Sequence, residues 1–104
     1  MEMSDLIYHE VTEEDQPGPV NLFILEPSPG PVRALRLHHP TKTWKFDPVT
    51  VRYSLIEDFD QGEDLIWQVD RTRAEKVALL LGAPLPSEAQ LHQLMQDGAS
   101  AATG

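Results

Sequence analysis

The densest run of chemically active side chains is Glu57-Asp58-Phe59-Asp60-Gln61-Gly62-Glu63-Asp64, with five carboxylates in eight residues. Carboxylates so spaced could bind calcium, act as paired acid and base, or attract a basic partner. From Asp58 the segment opens like a calcium-binding loop, but its glycine falls fifth instead of sixth. Its twelfth position is Val69, where a bidentate Glu belongs. A hydrolytic pair could be drawn from Glu57, Asp58, Asp60 or Asp64, although so dense a run reads more simply as a solvated loop. Attraction of a protein partner remains. Trp67 follows closely, and an aromatic beside acids is a common interface anchor. Glu13-Glu14-Asp15 supplies a second acidic patch.

The other reactive groups assemble less well. The chain has no cysteine, which excludes disulfides, thiolate catalysis and cysteine metal centres. Its histidines are His9, His38, His39 and His92. On a strand, His38 and His39 point to opposite faces, and no H-E-x-x-H pattern occurs. A weak metal site shared by His9 and His39 is conceivable only if His39 sits in a turn. Nucleophilic catalysis needs a hydroxyl, a His base and an orienting carboxylate. Ser28 lies between prolines, Ser87 reads as a helix cap, and Ser4 and Ser100 lie near the ends. Ser54 alone could be well placed. Neither a phosphate-cradling glycine loop nor a G-x-S-x-G elbow is present. The expectation is therefore a non-enzyme with no cofactor and no resident metal.

Charge narrows the partners. The formal net charge is −9, so nucleic acids and anionic membranes, which recruit Lys and Arg, are disfavoured. The bases cluster: residues 32–56 carry Arg33, Arg36, Lys42, Lys45 and Arg52 against Asp47 alone, between acidic blocks at 1–31 and 57–70. Either the basic block pairs with the acidic blocks inside the fold, or the acids form one docking face. Two C-terminal helices suggest helix-turn-helix, but residues 88–97 contain no Lys or Arg to read DNA.

The elements that must position these groups follow from periodicity. Runs at Leu6–Val11, Val20–Leu25, Val32–His38 and Thr43–Phe46 read as strands, the middle two forming a hairpin around Pro27–Pro31. Leu35 and Leu37 should face the core, with Arg36 and His38 outward. Trp44 and Phe46 share a face, and Trp44 and Trp67 each read as core or core-edge residues before ligand platforms. Asp47-Pro48 reads as a cap and first helical position for a helix over 48–57, offering Val51, Leu55 and Ile56. Residues 49–53 are also good strand material. Residues 58–64 read as loop, and Leu65–Val69 as a short run of open type. Asp70 should cap a helix over 71–81, with Ala74, Val77, Ala78 and Leu81 buried and Gly82 ending it. Ser87 and Gln90 have capping-box spacing, opening a last helix with Leu91, Leu94 and Met95 inward that stops near Gly98.

Strands followed by helices predict one α+β domain over 1–98 and a frayed tail over 99–104. The expected architecture is a three- to four-stranded antiparallel sheet from the N-terminal half. Two to three helices from the C-terminal half should pack on one face. No apolar run is long enough for a membrane helix, and the acidic N-terminus is unlike a signal peptide, so the expected location is cytoplasmic. The function these features favour is a non-catalytic acidic protein-binding module, of the inhibitor or immunity type, capping a basic site on a toxin or nuclease. An accessory subunit of a larger assembly, including a homodimer, is the alternative, and a small enzyme or ligand-binding domain the third.

Overall fold

A computed structural model describes residues 6–27 and 30–103, so Ser4 and Ser28 lie outside the described residues. The fold is α+β, with a five-stranded antiparallel sheet and three helices. The strands are β1 (Ile7–Val11), β2 (Asn21–Glu26), β3 (Arg33–His38), β4 (Thr43–Phe46) and β5 (Ile66–Val69). Their spatial order is β4-β3-β2-β1-β5. The short run before Asp70 is thus a fifth strand. It pairs with β1, setting Tyr8 against Val69 and Glu10 against Trp67.

The helices lie on both faces of the sheet, not on one. α1 (Pro48–Gln61) packs Val51 and Leu55 against Phe23 and Ala34. α2 (Arg71–Leu80) and α3 (Glu88–Thr103) cover the opposite face, over Tyr8, Leu22, Ile24, Leu35 and Leu37. The physical reason lies in β2. Leu22-Phe23-Ile24-Leu25 is apolar on alternate and intervening positions alike, and such a strand needs cover on both sides. Ala34 adds to this, being fully buried beneath α1 on the face that Arg36 shares.

Local signals set the helix starts. Asp47 accepts from the Thr50 N–H with Pro48 in the first turn, and Asp70 accepts from the Arg73 N–H. Ser87 and Gln90 close a reciprocal capping box, each side chain accepting from the other's backbone N–H. The ends differ from expectation. α1 runs to Gln61, four residues beyond 57, and Ile56 faces outward at 50% exposure. α3 continues through Gly98, which is no stop signal but a point of close approach. A Cβ there would fall 2.2 Å from Phe46 Cγ.

Polar side chains stitch the layers together. The Asn21 Oδ1 accepts from Leu22 N–H at 2.7 Å and Leu37 N–H at 3.0 Å, extending the β2–β3 ladder beyond its paired residues. Lys42, in the β3–β4 turn, donates to the Leu81 carbonyl at the end of α2. Glu10, with a side chain only 4% exposed, receives a two-pronged grip from Arg73 at 2.8 and 2.9 Å. One buried carboxylate answered by a guanidinium fork leaves no uncompensated charge under α2.

Candidate functional site

At the end of the sheet where β1 finishes and β5 begins, two acidic segments distant in sequence come together. Thr12 donates its N–H and its hydroxyl to the Leu65 carbonyl, at 2.9 and 2.8 Å. This places Glu13-Glu14-Asp15 beside Glu63-Asp64. The Gln16 N–H to Glu13 carbonyl bond turns the first segment, and the Val20 N–H to Val11 carbonyl bond returns the chain to β2.

The second segment is shaped by Asp58, which is not a free acid. Lying one turn before the end of α1, it accepts from the Leu65 N–H at 3.0 Å and the Ile66 N–H at 3.3 Å. Its carboxylate thus satisfies backbone donors at the start of the edge strand. Gly62 ends α1 in the left-handed region (φ 68°), and its N–H meets the Asp58 and Phe59 carbonyls. Asp64 also has positive φ, at 56°, a conformation that Asp tolerates better than most residues. The sharp reversal holds Glu63 and Asp64 out into solvent.

Ion pairing sorts the acids into two groups. Glu10, Glu26, Asp47 and Glu75 pair with Arg73, Arg33, Arg36 and Arg71. Glu26 is also hydrogen-bonded to His92 of α3. Burial alone would raise the pKa of Asp47, but hydrogen bonds from Arg36 and Thr50 and the Arg36 charge outweigh it and lower it. Glu13, Glu14, Asp15, Glu57, Asp60, Glu63 and Asp64 are all exposed, and among the described residues none joins a salt bridge. Of the five bases at 32–56, Arg33 pairs with Glu26 of an acidic block, Arg36 pairs with Asp47 of its own block, and Lys42 meets a backbone carbonyl, while among the described residues Lys45, Arg52 and the candidate acids join no salt bridge.

Two shallow grooves flank the end of α1. One, of about 420 Å³, is bordered by Glu13, Ser54, Glu57, Asp58 and Glu63. The other, of about 450 Å³, is bordered by His9, Asp58, Phe59, Asp64 and Trp67. Trp67 pairs with Glu10, so strand alternation turns its side chain to the α2 face, away from Glu57; it meets the second groove at the sheet edge. Trp67 is therefore separated from part of the acid cluster by the thickness of the sheet. His9 faces the α1 side, where burial lowers its pKa, and its Nδ1 is buried without a hydrogen-bond partner.

Catalytic and metal constellations fare less well. Ser54 and His39 border one groove with Glu13, but no hydrogen bond joins them and His39 Nε2 is held by the Val20 carbonyl at 2.6 Å. His39 does sit in the turn after β3, and it borders a different groove from His9. Among the described residues no three His, Asp or Glu groups are placed to hold one ion. Nor does any described helix have the length and apolarity to cross a membrane.

Sequence reasoning missed the outer side of α1, where Val49, Tyr53, Ile56 and Phe59 are exposed. Two apolar arcs on one helix were the available signal, one through Val51 and Leu55 and one through Val49, Tyr53 and Ile56. Compared with protein-family models, curated proteins and solved structures, the chain matches none.

Proposed function

We propose that this protein is a non-catalytic protein-binding module whose acidic end engages a basic partner surface, in the manner of an inhibitor or immunity protein. The supporting observation is the junction of residues 13–15 with 57–64 through Thr12 and Leu65, which gathers seven exposed, unpaired carboxylates. A cluster of one sign raises the encounter rate with an oppositely charged protein and rejects nucleic acid and anionic lipid. On this reading Glu13, Glu14, Asp15, Glu57, Asp60, Glu63 and Asp64 contact the partner, Trp67 borders the contact, and Asp58 shapes the loop. A nuclease or toxin with a phosphate-binding site is the partner class such a surface suits, and the setting is the cytoplasm.

The test is affinity capture from the source cell at low and high salt. Wild-type protein is set against a variant carrying Glu13→Gln, Glu63→Gln and Asp64→Asn. A basic protein held by the wild type, released by salt and lost by the variant is the expected result. Equal capture by both proteins would remove the basis of the reading. A captured nuclease or toxin should also lose activity in one-to-one mixture. The exposed apolar side of α1 favours a second reading, an accessory subunit of a lasting assembly, which predicts capture insensitive to salt.

A further inference from the structure

The outer side of α1 has no counterpart in the acidic-end reading. Val49, Tyr53 and Ile56 follow one another at i, i+4 and i+7, and Phe59 lies three residues on, at 77%, 66%, 50% and 84% exposure. The opposite side of the same helix is already buried through Val51 and Leu55. A contiguous row of large apolar side chains left in water is uncommon on a protein that acts alone. Its length, from Val49 to Phe59, is about 15 Å at the α-helical rise, or close to three turns.

Charge selects the occupant. The row ends among Glu57, Asp60, Glu63 and Asp64, with Arg52 as its one base. An anionic membrane is repelled by these acids. A second copy carries the same formal charge of −9, so two chains approaching each other repel overall. A polypeptide with a matching apolar ridge and Lys or Arg at one end meets both the row and its acidic terminus. We infer that the outer side of α1 docks a basic amphipathic helix, its apolar side chains along Val49–Phe59 and its cationic end at residues 57–64. This inference rests on the acidic-end reading and names the partner's chemistry there. Ridge-to-groove packing of one helix on another accounts for the linear spacing of the row.

The experiment uses the full chain and two probes: a synthetic amphipathic Leu/Lys helical peptide and poly-lysine. Binding is followed by amide chemical shifts, with circular dichroism confirming that each variant is folded. Wild-type protein should bind the peptide with shifts at residues 49–60. The exposed pair Tyr53→Ser and Ile56→Ser should weaken peptide binding about tenfold and leave poly-lysine binding unchanged. Glu63→Gln with Asp64→Asn should weaken both. If the serine variant binds the peptide as the wild type does, the docking inference falls and the acidic-end reading survives. If neither probe binds in a salt-sensitive way, the acidic-end reading falls with it. Concentration-dependent dimerisation in sedimentation, abolished by Ile56→Ser, would assign the row to a second copy and overturn the partner named here.

Discussion

Thr12 and Leu65, 53 residues apart, are joined by two hydrogen bonds to one carbonyl oxygen. The backbone donor belongs to the junction between β1 and the segment leading into β5, whereas the hydroxyl is an addition specific to threonine. Thr12→Val keeps the shape and the backbone bond but deletes the hydroxyl. It should cost about 1 kcal/mol, the usual net value of one such bond, measured by urea denaturation. The same substitution should loosen residues 13–15 relative to 63–64, seen as faster amide exchange there. No change in either measurement would show that the backbone bond alone holds the acidic end together.

Neighbouring carboxylates on α1 should behave in opposite ways. Asp58 serves two backbone N–H groups, so Asp58→Ala should destabilise by about 1.5–3 kcal/mol, the range for hydrogen bonds to a charged group. Glu57 is exposed and unpaired, so Glu57→Gln should lie within about 0.5 kcal/mol of the wild type. Denaturation midpoints of the two variants decide the matter. Similar values would mean that Asp58 is one more solvated acid.

Gly98 offers a steric test. Gly98→Ala puts a Cβ about where Phe46 already lies, 2.2 Å from its Cγ. Overpacking of that kind costs about 1–3 kcal/mol despite the better helix propensity of alanine. Adding Phe46→Ala, which removes the Cγ and Cδ1 that the new Cβ would strike, should make the pair non-additive, with part of the loss recovered. Additive losses would place the clash elsewhere.

These positions show what was legible and what was not. Caps depend on residues within one turn, and Asp47, Asp70 and Ser87 with Gln90 all act as their local sequence requires. Strand boundaries were nearly as readable, because turns and alternation are local too. Gly98 misled because a glycine that permits close packing and one that ends a helix look alike without the partner Phe46. Layering differs from expectation because the succession of strands then helices along the chain does not say which face each helix covers. The continuous apolar run in β2 was the better indicator. At the candidate site, residue types identified the acids but not their condition. Asp58 resembles its neighbours in sequence, and only its aim at the Leu65 and Ile66 amides separates it from them. Trp67 and Ile66, adjacent in β5, take opposite sides because a strand alternates its faces, which turns Trp67 away from Glu57.

Two groups with lowered pKa, His9 and Asp47, contribute to the pH dependence of stability with the same sign at different pH. Burial lowers the pKa of His9 below its ordinary 6.5, so the unfolded chain takes up a proton there before the folded chain does. Stability is therefore full above pH 6.5 and falls as pH drops from 6.5 to the lowered folded value. Asp47, with Arg36 and Thr50 donating to it, lies below its ordinary 3.8. Its contribution is present above 3.8 and is lost as pH falls through the folded value. Denaturation from pH 8 down to about pH 2 should thus show two declines on acidification. His9→Phe removes the ionisable ring between β1 and α1 and should abolish the upper decline while leaving the lower. Arg36→Met should remove the lower decline and leave the upper. Asp58 and Asp64 border the His9 groove, so an upper decline that persists in His9→Phe would transfer the titration to another group. The ring would then be no source of acid sensitivity.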